Sequence, residues 1–458
     1  MSIKQREARF LRERFTGVQH TTLNPEGPGV VRIHLVPPRP DGDGGSVAIL
    51  NGQDIIPVGT AWSILLVCFI EEVNRYAGRP VSDAEVEAIM KETCRKVRSV
   101  YPLLSGKLIR GDIYKIMNTF RQIARGETPE EDVPILSLGE YAPQMRAPHR
   151  MDLMVSAMTK GGRWNCNQKC VHCYAAGQPC AEEGELDTAA WKQIIDRCRE
   201  ACIPQLTFTG GEPTLRADLP ELIEHAAWFV TRLNTNGIAL TPEFCQRLYA
   251  ASLDSLQITF YSCDPAIHNA LVGAEGFGKT AAGIENALAA GLNLSVNTPL
   301  CTMNRDYRAT LEYLHAKGVR YVTCSGLITT GAAATVPSEQ LQLTRAEIRD
   351  VLRGAVEYCY ANDMEISFTS PGWVEPEFCE ELGITTPSCG ACLSNMAVTP
   401  GGNVVPCQSW LSSDVLGNLL TDRWADIWDS DACRARREES AKMLGVCPLR
   451  RAEGRAAE

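Results

Sequence analysis

Three cysteines fall within eight residues of this chain, Cys166-Asn-Gln-Lys-Cys170-Val-His-Cys173, and that spacing limits the fold more than any other feature. Sulfur ligands held at such short offsets share one loop, so a metal site and a scaffold that presents it must be built around them. With 19 cysteines in 458 residues, a triplet at these offsets arises by chance roughly 0.03 times in a sequence this long. Three thiolates can bind three irons of a [4Fe-4S] cube and leave the fourth iron open to an external chelating ligand. A structural zinc site is the plain alternative. The lack of a fourth ligand at zinc-like spacing weighs against it.

Bulk properties narrow the setting. A net charge of −10 argues against a protein held on nucleic acid or anionic lipid, and peptide or small-molecule partners fit better. The longest strongly apolar run, Trp62 to Ile70, is far short of the roughly 20 residues a membrane helix needs, and Glu71 and Glu72 end it. Met1 to Gly17 is charged throughout and has no apolar signal-peptide core. The chain therefore reads as cytoplasmic, with no nucleic-acid or membrane partner. Thiols stay reduced in that compartment, so the cysteine load points to metal ligation rather than disulfides.

Residues 1–45 end in a Pro/Gly-rich stretch, Pro37 to Gly45, and read as a tail and linker. At 46–126, Ala48 to Leu50 and Ile55 to Val58 flank Asn51-Gly52, a dipeptide suited to a tight hairpin turn. Three helices follow: one from Thr60, one opened by a Ser82/Glu85 capping box, and one capped by Asp112 and running to about Ala124. This is a small winged-helix-like module, and 127–148 is a linker. Over 149–375, strand-like runs at Met151–Ala157, Gln205–Thr209, Phe229–Thr235, Ser255–Tyr261, Asn293–Leu300, Tyr321–Ile328 and Glu365–Ser370 alternate with amphipathic helices. The expected fold class is α/β, a partial (β/α)6 TIM-type barrel with chemistry at the C-terminal strand ends. Residues 376–458 lack regular rhythm, as expected of a small domain organised by metal.

At the cysteine triplet the chain resembles the radical S-adenosylmethionine (SAM) superfamily, whose cluster loop reads C-x3-C-x2-C with an aromatic residue or His before the last cysteine, here His172. The resemblance implies that Cys166, Cys170 and Cys173 hold a [4Fe-4S] cluster whose open iron chelates SAM. Reductive cleavage of SAM would then yield a 5′-deoxyadenosyl radical that abstracts hydrogen from the substrate. It also implies that Gly210-Gly211-Glu212-Pro213 binds the SAM amino group, and that Asn236, Thr259, Asn297 and Gly326 lie at strand ends near the rest of SAM. Thr259 stands where the family usually has Ser.

A second cysteine group, Cys389-Gly-Ala-Cys392 followed by Gly402 and Cys407, resembles the start of SPASM and twitch domains, which bind auxiliary [4Fe-4S] clusters. The full SPASM array is not continued here, since only Cys433 and Cys447 remain after Trp428. The likeness implies one auxiliary cluster held by Cys389, Cys392, Cys407 and Cys447, with Cys433 and Cys379 as substitutes for one ligand. The N-terminal module resembles the RiPP recognition element, which binds a leader peptide along a strand edge. Together the parts resemble ranthipeptide- and sactipeptide-type peptide maturases.

The expected partners are a precursor peptide, its leader bound by residues 46–126, and a flavodoxin or ferredoxin-type reductant. The expected reaction is oxidative crosslinking of the precursor, with thioether formation first. One alternative is radical C-C or C-O crosslinking, decarboxylation or oxidation of a peptide, of the mycofactocin or pyrroloquinoline-quinone type. From another class, the chain could be a non-catalytic iron-sulfur electron carrier or peptide-binding scaffold.

Overall fold

The computed structural model describes all residues except 24–30, 40–44, 77–78, 413, 444 and 451–458. The chain divides into two compact units, residues 1–149 with 199–204, and residues 150–198 with 205–458.

The first unit holds α1 (Ile3–Arg14) and a four-stranded antiparallel sheet in the order β1 (Gln19–Leu23), β2 (Val31–Val36), β3 (Ser46–Leu50) and β4 (Asp54–Val58). Segment 1–45, expected as tail and linker, thus supplies a helix and two strands, while residues 40–44 of its Pro/Gly-rich stretch lie outside the described residues. The reason is apolar alternation: Val31, Ile33 and Leu35 join one core with Phe10 and Phe15. Asn51 and Gly52 take positive φ values of 47° and 69° and turn β3 into β4.

Helices α2 (Thr60–Val73), α3 (Asp83–Val100) and α4 (Gly106–Ala124) complete this unit. The Ser82/Glu85 capping box opens α3 as expected. The cap of α4 differs from expectation: Ser105 Oγ accepts the Leu108 N–H at 3.2 Å, and Asp112 lies inside the helix. The earlier start lets Ile109, Ile113, Ile116, Phe120 and Ile123 all face the core.

In the second unit seven parallel strands are neighbours in chain order: β5 (Arg150–Ser156), β6 (Gln205–Gly210), β7 (Val230–Thr235), β8 (Ser255–Thr259), β9 (Leu294–Pro299), β10 (Tyr321–Ser325) and β11 (Glu365–Phe368). Connecting helices include α5 (Pro242–Ala250), α6 (Phe277–Ala289), α7 (Tyr307–Ala316) and α8 (Arg345–Ala361). The sheet stays open, with β11 at one edge, which makes a partial barrel. Leu206, Phe208, Leu233, Leu256, Ile258 and Val296 are fully buried, whereas the alternate positions Thr207, Thr209, Arg232, Asn234, Gln257 and Thr259 line a cavity. Period-two alternation therefore gives this barrel a polar inside.

The C-terminal stretch, expected to lack strand rhythm, continues the same sheet. Strand β12 (Asn395–Val398) pairs in parallel with β5, and β13 (Asn403–Val405) and β14 (Gly417–Asn418) follow antiparallel. Helix α9 (Asp431–Lys442) comes after them. These strands show no alternation of buried and exposed positions to be read, and pairing with β5 is what buries Met396, Ala397 and Val398.

The capping result is testable. Ser105→Ala is expected to lower stability by about 1 kcal/mol and Asp112→Ala by less than about 0.5 kcal/mol in denaturant unfolding. Equal losses would return the cap to Asp112.

Candidate active site

The cysteine loop follows β5 and is pinned by backbone bonds rather than by regular structure. Lys169 N–H donates to Val272 O (2.9 Å), Val171 N–H to Leu271 O (3.0 Å), and Ala332 N–H to Cys173 O (2.8 Å). Trp164 Nε1 donates to Gln168 O at 2.7 Å. Gly331 sits at φ 58°, and a Cβ there would fall 2.4 Å from the carbonyl oxygens of Cys173 and Tyr174. Only a glycine lets this segment lie against the loop.

All three thiols line one cavity of about 670 Å³, with Gly210, Gly211, Glu212, Asn236, Thr259, Asn297 and Gly326. The structure thus brings these residues, dispersed over 160 positions of sequence, to one place. Burial pushes the thiols of Cys166 and Cys170 up to about 12. His172 is buried, its Nε2 lies 3.1 Å from Tyr261 Oη, and burial lowers its pKa to about 4, so it is a neutral ring.

Gly210 takes φ 136° because a Cβ would meet Ser156 O at 2.3 Å, and Gly211 N–H donates to that same oxygen at 2.7 Å. The turn aims Glu212 inward, where it is 1% exposed. Thr214 N–H donates to Glu212 Oε1 at 3.0 Å, Thr235 Oγ1 to the same oxygen at 2.6 Å, and Asn236 N–H to Oε2 at 2.9 Å. Pro213, also buried, starts the short turn that carries Thr214. Burial raises the Glu212 pKa above the ordinary carboxylate range despite these donors. Asn236 Nδ2 donates to Asn167 Oδ1 at 2.5 Å, which ties the Glu212 turn to the cysteine loop. On β9, Asn297 Oδ1 accepts from Thr323 Oγ1 at 2.8 Å.

In the second cysteine group, burial raises the pKa of Cys407 and Cys447, and Cys389 lies close enough to both to add to that rise. The expected fourth member, Cys392, lies beside Cys433, and that neighbour together with burial raises its pKa. Cys392 and Arg437, whose Nη1 lies 3.7 Å from the Cys433 sulfur, lower the Cys433 pKa. The groups acting on Cys379 are Thr386 and Glu375, with no cysteine among them. Gln408 and Ser409, next to Cys407, line the same cavity as Cys166, Cys170 and Cys173.

Sequence reasoning passed over Arg150, Arg232, Gln257 and Gln408 as cavity residues. Inward parity on β7 and β8 was the available signal for Arg232 and Gln257. The position of Gln408 depends on tertiary pairing.

Residues 165–314 match the Radical SAM superfamily, and residues 389–449 match SPASM, an iron-sulfur cluster-binding domain. The chain thus carries a radical SAM domain followed by a SPASM domain, and its cofactors are SAM and two [4Fe-4S] clusters. More particularly, it is similar to PqqA peptide cyclases. That of Xanthomonas campestris pv. campestris strain 8004 is 29% identical over 296 residues, 62% of this chain and 75% of the relative. That of Ruegeria pomeroyi is 28% identical over 306 residues, 63% of this chain and 75% of the relative. Among solved structures, Streptococcus suis SuiB bound to precursor peptide SuiA superposes with a TM-score of 0.56 at 12% identity, covering 85% of this chain and 86% of SuiB. The anSMEcpe structure with bound AdoMet gives 0.52 at 16% identity, covering 64% of this chain and 84% of the other. These likenesses show a shared fold.

The residues present fit such cofactors. Sulfur donors from one loop share the cavity with buried polar atoms that have no partner among the described residues: Gln168 Nε2, His172 Nδ1, Thr207 Oγ1, Asn234 Oδ1 and Gln408 Oε1. Among the described residues, no three His, Cys, Asp or Glu side chains are gathered as ligands of one metal ion. In a cube each thiolate takes a different iron, so the sulfurs stand further apart than they do around a single zinc.

Loop seating gives a prediction. Gly331→Ala should speed amide hydrogen exchange across residues 166–173 by about ten-fold or more, because the added methyl displaces the loop backbone. Unchanged exchange would mean the loop holds itself in place.

Proposed function

We propose that this enzyme oxidatively crosslinks a ribosomally made precursor peptide, and that the bond formed is a thioether. The observation that carries the reading is the shared cavity, lined by Cys166, Cys170, Cys173 and Glu212 and also by Gln408 and Ser409 beside Cys407. A peptide substrate is supported by the name of the cyclase relatives and by the SuiA peptide seen with SuiB. When bound, the loop cluster and SAM supply a 5′-deoxyadenosyl radical. Cys166, Cys170 and Cys173 hold that cluster, and His172 fills the space beside it as a neutral ring. Glu212, set by Gly210, Gly211 and Pro213, accepts the SAM ammonium group. Asn236, Thr259, Asn297 and Gly326 border the remainder of SAM.

In this reading Cys389, Cys407 and Cys447 hold the auxiliary cluster with Cys392 as the fourth ligand. The leader binds the module at residues 46–126, whose sheet also contains β1 and β2. Among the described residues strand β1 pairs with β2 alone, which gives an edge suited to strand addition. Electrons come from a flavodoxin or ferredoxin-type reductant in the cytoplasm. Among the described residues no helix is long and apolar enough to cross a membrane. Carbon-carbon crosslinking of the pyrroloquinoline-quinone type is a second reading, favoured by the named cyclase relatives.

Mass spectrometry of the short peptide encoded beside this gene, after anaerobic reaction with SAM and a reductant, tests the proposal. Each crosslink should remove two hydrogens. A thioether also removes one alkylatable cysteine, whereas a carbon-carbon link leaves every cysteine reactive. Cys170→Ala should abolish 5′-deoxyadenosine, while Cys407→Ala should keep some SAM cleavage and lose the crosslink. A crosslink unaffected in Cys407→Ala would remove the auxiliary cluster from the reaction.

Glu212 adds a pH dependence. Its raised pKa means the carboxyl is protonated over a wider range than usual, and an ammonium partner favours the ionised form. SAM affinity should therefore climb as pH rises through the raised value and fall below it. Glu212→Gln should weaken SAM at least about ten-fold, ~1.4 kcal/mol, and flatten that profile. Equilibrium binding of SAM across pH distinguishes the two proteins.

A further inference from the structure

The lower part of the barrel cavity carries a charge that neither cluster nor the Glu212 turn uses. Arg232 lies on β7, paired in register with Thr207 of β6 and Ser255 of β8, and lines the cavity. It is three residues before Thr235, whose hydroxyl meets Glu212, which puts it about 10 Å further down the strand at ~3.3 Å per residue. Arg150 lines the same region, but its guanidinium is already taken: Nε and Nη2 reach the two carboxylate oxygens of Asp152 at 2.8 and 3.4 Å. The Arg232 guanidinium forms no hydrogen bond or ion pair with any described residue. Beside it, Thr207 Oγ1 and Asn234 Oδ1 are buried, face the cavity and also lack partners, and Thr207 is 2% exposed.

Two guanidinium groups and one carboxylate leave this end of the cavity with one uncompensated positive charge. Burial first and Arg150 second lower the pKa of Arg232, with Asp152 acting the other way, so the surroundings do not repay that charge. Glu212 does not supply the missing partner, being higher in the cavity and committed to Thr214, Thr235 and Asn236. A planar guanidinium with free donors, beside a hydroxyl that can also donate, matches a carboxylate that can be gripped at both oxygens, while the Asn234 amide oxygen accepts only and suits an N–H of the same ligand.

We propose that Arg232, with the Thr207 hydroxyl, is a specificity subsite for an acidic side chain, aspartate or glutamate, of the substrate peptide. It fixes how far that peptide enters the barrel. The assignment of the carboxylate to a peptide rests on the maturase reading above. The anion subsite itself does not, and the test separates the two.

The test uses the reconstituted two-cluster enzyme with SAM and two probes, N-acetyl-glutamate N-methylamide and its glutamine counterpart, with affinity read by ligand-observed NMR. Wild type should bind the carboxylate probe about ten-fold or more tightly than the amide probe. Arg232→Gln should erase that preference, and Arg232→Lys should restore part of it. Equal binding of the two probes by wild type would overturn the proposal without need of any variant. So would a preference that survives Arg232→Gln. The other carboxylate available is that of SAM: if Arg232→Gln weakens SAM ten-fold while the probe preference persists, the charge serves SAM and the proposal fails. A peptide that is never modified would sink the maturase reading and leave these binding results standing.

Discussion

Strand β5 is hydrogen-bonded along both edges, to β6 on one side and to β12 on the other, and the arrangement of the second unit follows from that double pairing. Pairing with β6 sets Ser156 against Gly210, and the close approach of those two backbones turns the chain so that Glu212 faces inward. Pairing with β12 continues the barrel sheet into the SPASM domain. As a result Gln408, reached through the β12–β13 hairpin, lines the cavity that the first cysteine loop also lines. A domain attached by a flexible tether could not hold that position. Main-chain hydrogen bonds at a sheet edge can, because a one-residue slip would turn Met396 and Val398 out of the core.

The cavity is unusual for a barrel because polar side chains project into it from strand after strand, beside apolar ones such as Met158, Trp164 and Leu327. A barrel of this kind ordinarily fills its lumen with branched apolar side chains. Here threonine, asparagine and glutamine hydroxyls and amides face inward, several without partners. Leaving buried polar atoms unpaired costs roughly 1–3 kcal/mol each, so such a lining persists only where something polar occupies it. Free polar atoms at Gln168 and His172 surround the cysteine loop, and those at Thr207 and Asn234 surround Arg232. The free atoms thus form two groups at different depths, consistent with a cofactor above and a substrate group below.

Much of this architecture was legible before any coordinates. Strands β5 to β11 were readable because each has enough residues to show an apolar face against the helices, and the caps at Ser82 and Thr344 are local chemistry. The triplet Cys166, Cys170 and Cys173 and the Gly210-Gly211-Glu212 turn were readable because their geometry is built from adjacent residues. What escaped is non-local. Strands β12 to β14 are stabilised by their pairing with β5 rather than by their own pattern. Strands β1 and β2 are separated from the hairpin by a Pro/Gly-rich run that reads as a linker. Ser105 and Asp112 are both good caps, and only the spacing of the isoleucines beyond them, taken over the whole helix, selects Ser105.

The cysteines near the C-terminus show the same limit with more at stake. The resemblance to SPASM and twitch domains put Cys392 with Cys407, and their backbones do come close, since Cys392 N–H donates to Pro406 O at 3.1 Å. Yet Cys392 also lies beside Cys433, a residue more than 40 positions on, whose pKa Cys392 and Arg437 lower. A thiol that holds its proton in such a pair must give it up to ligate iron, because metal binding and deprotonation are linked. The number of protein thiolates matters chemically. Four close every iron of the auxiliary cluster and leave it only an electron-transfer role, whereas three leave one iron available to a substrate sulfur. The contact between Cys392 and Cys433 therefore bears on the choice between those two roles.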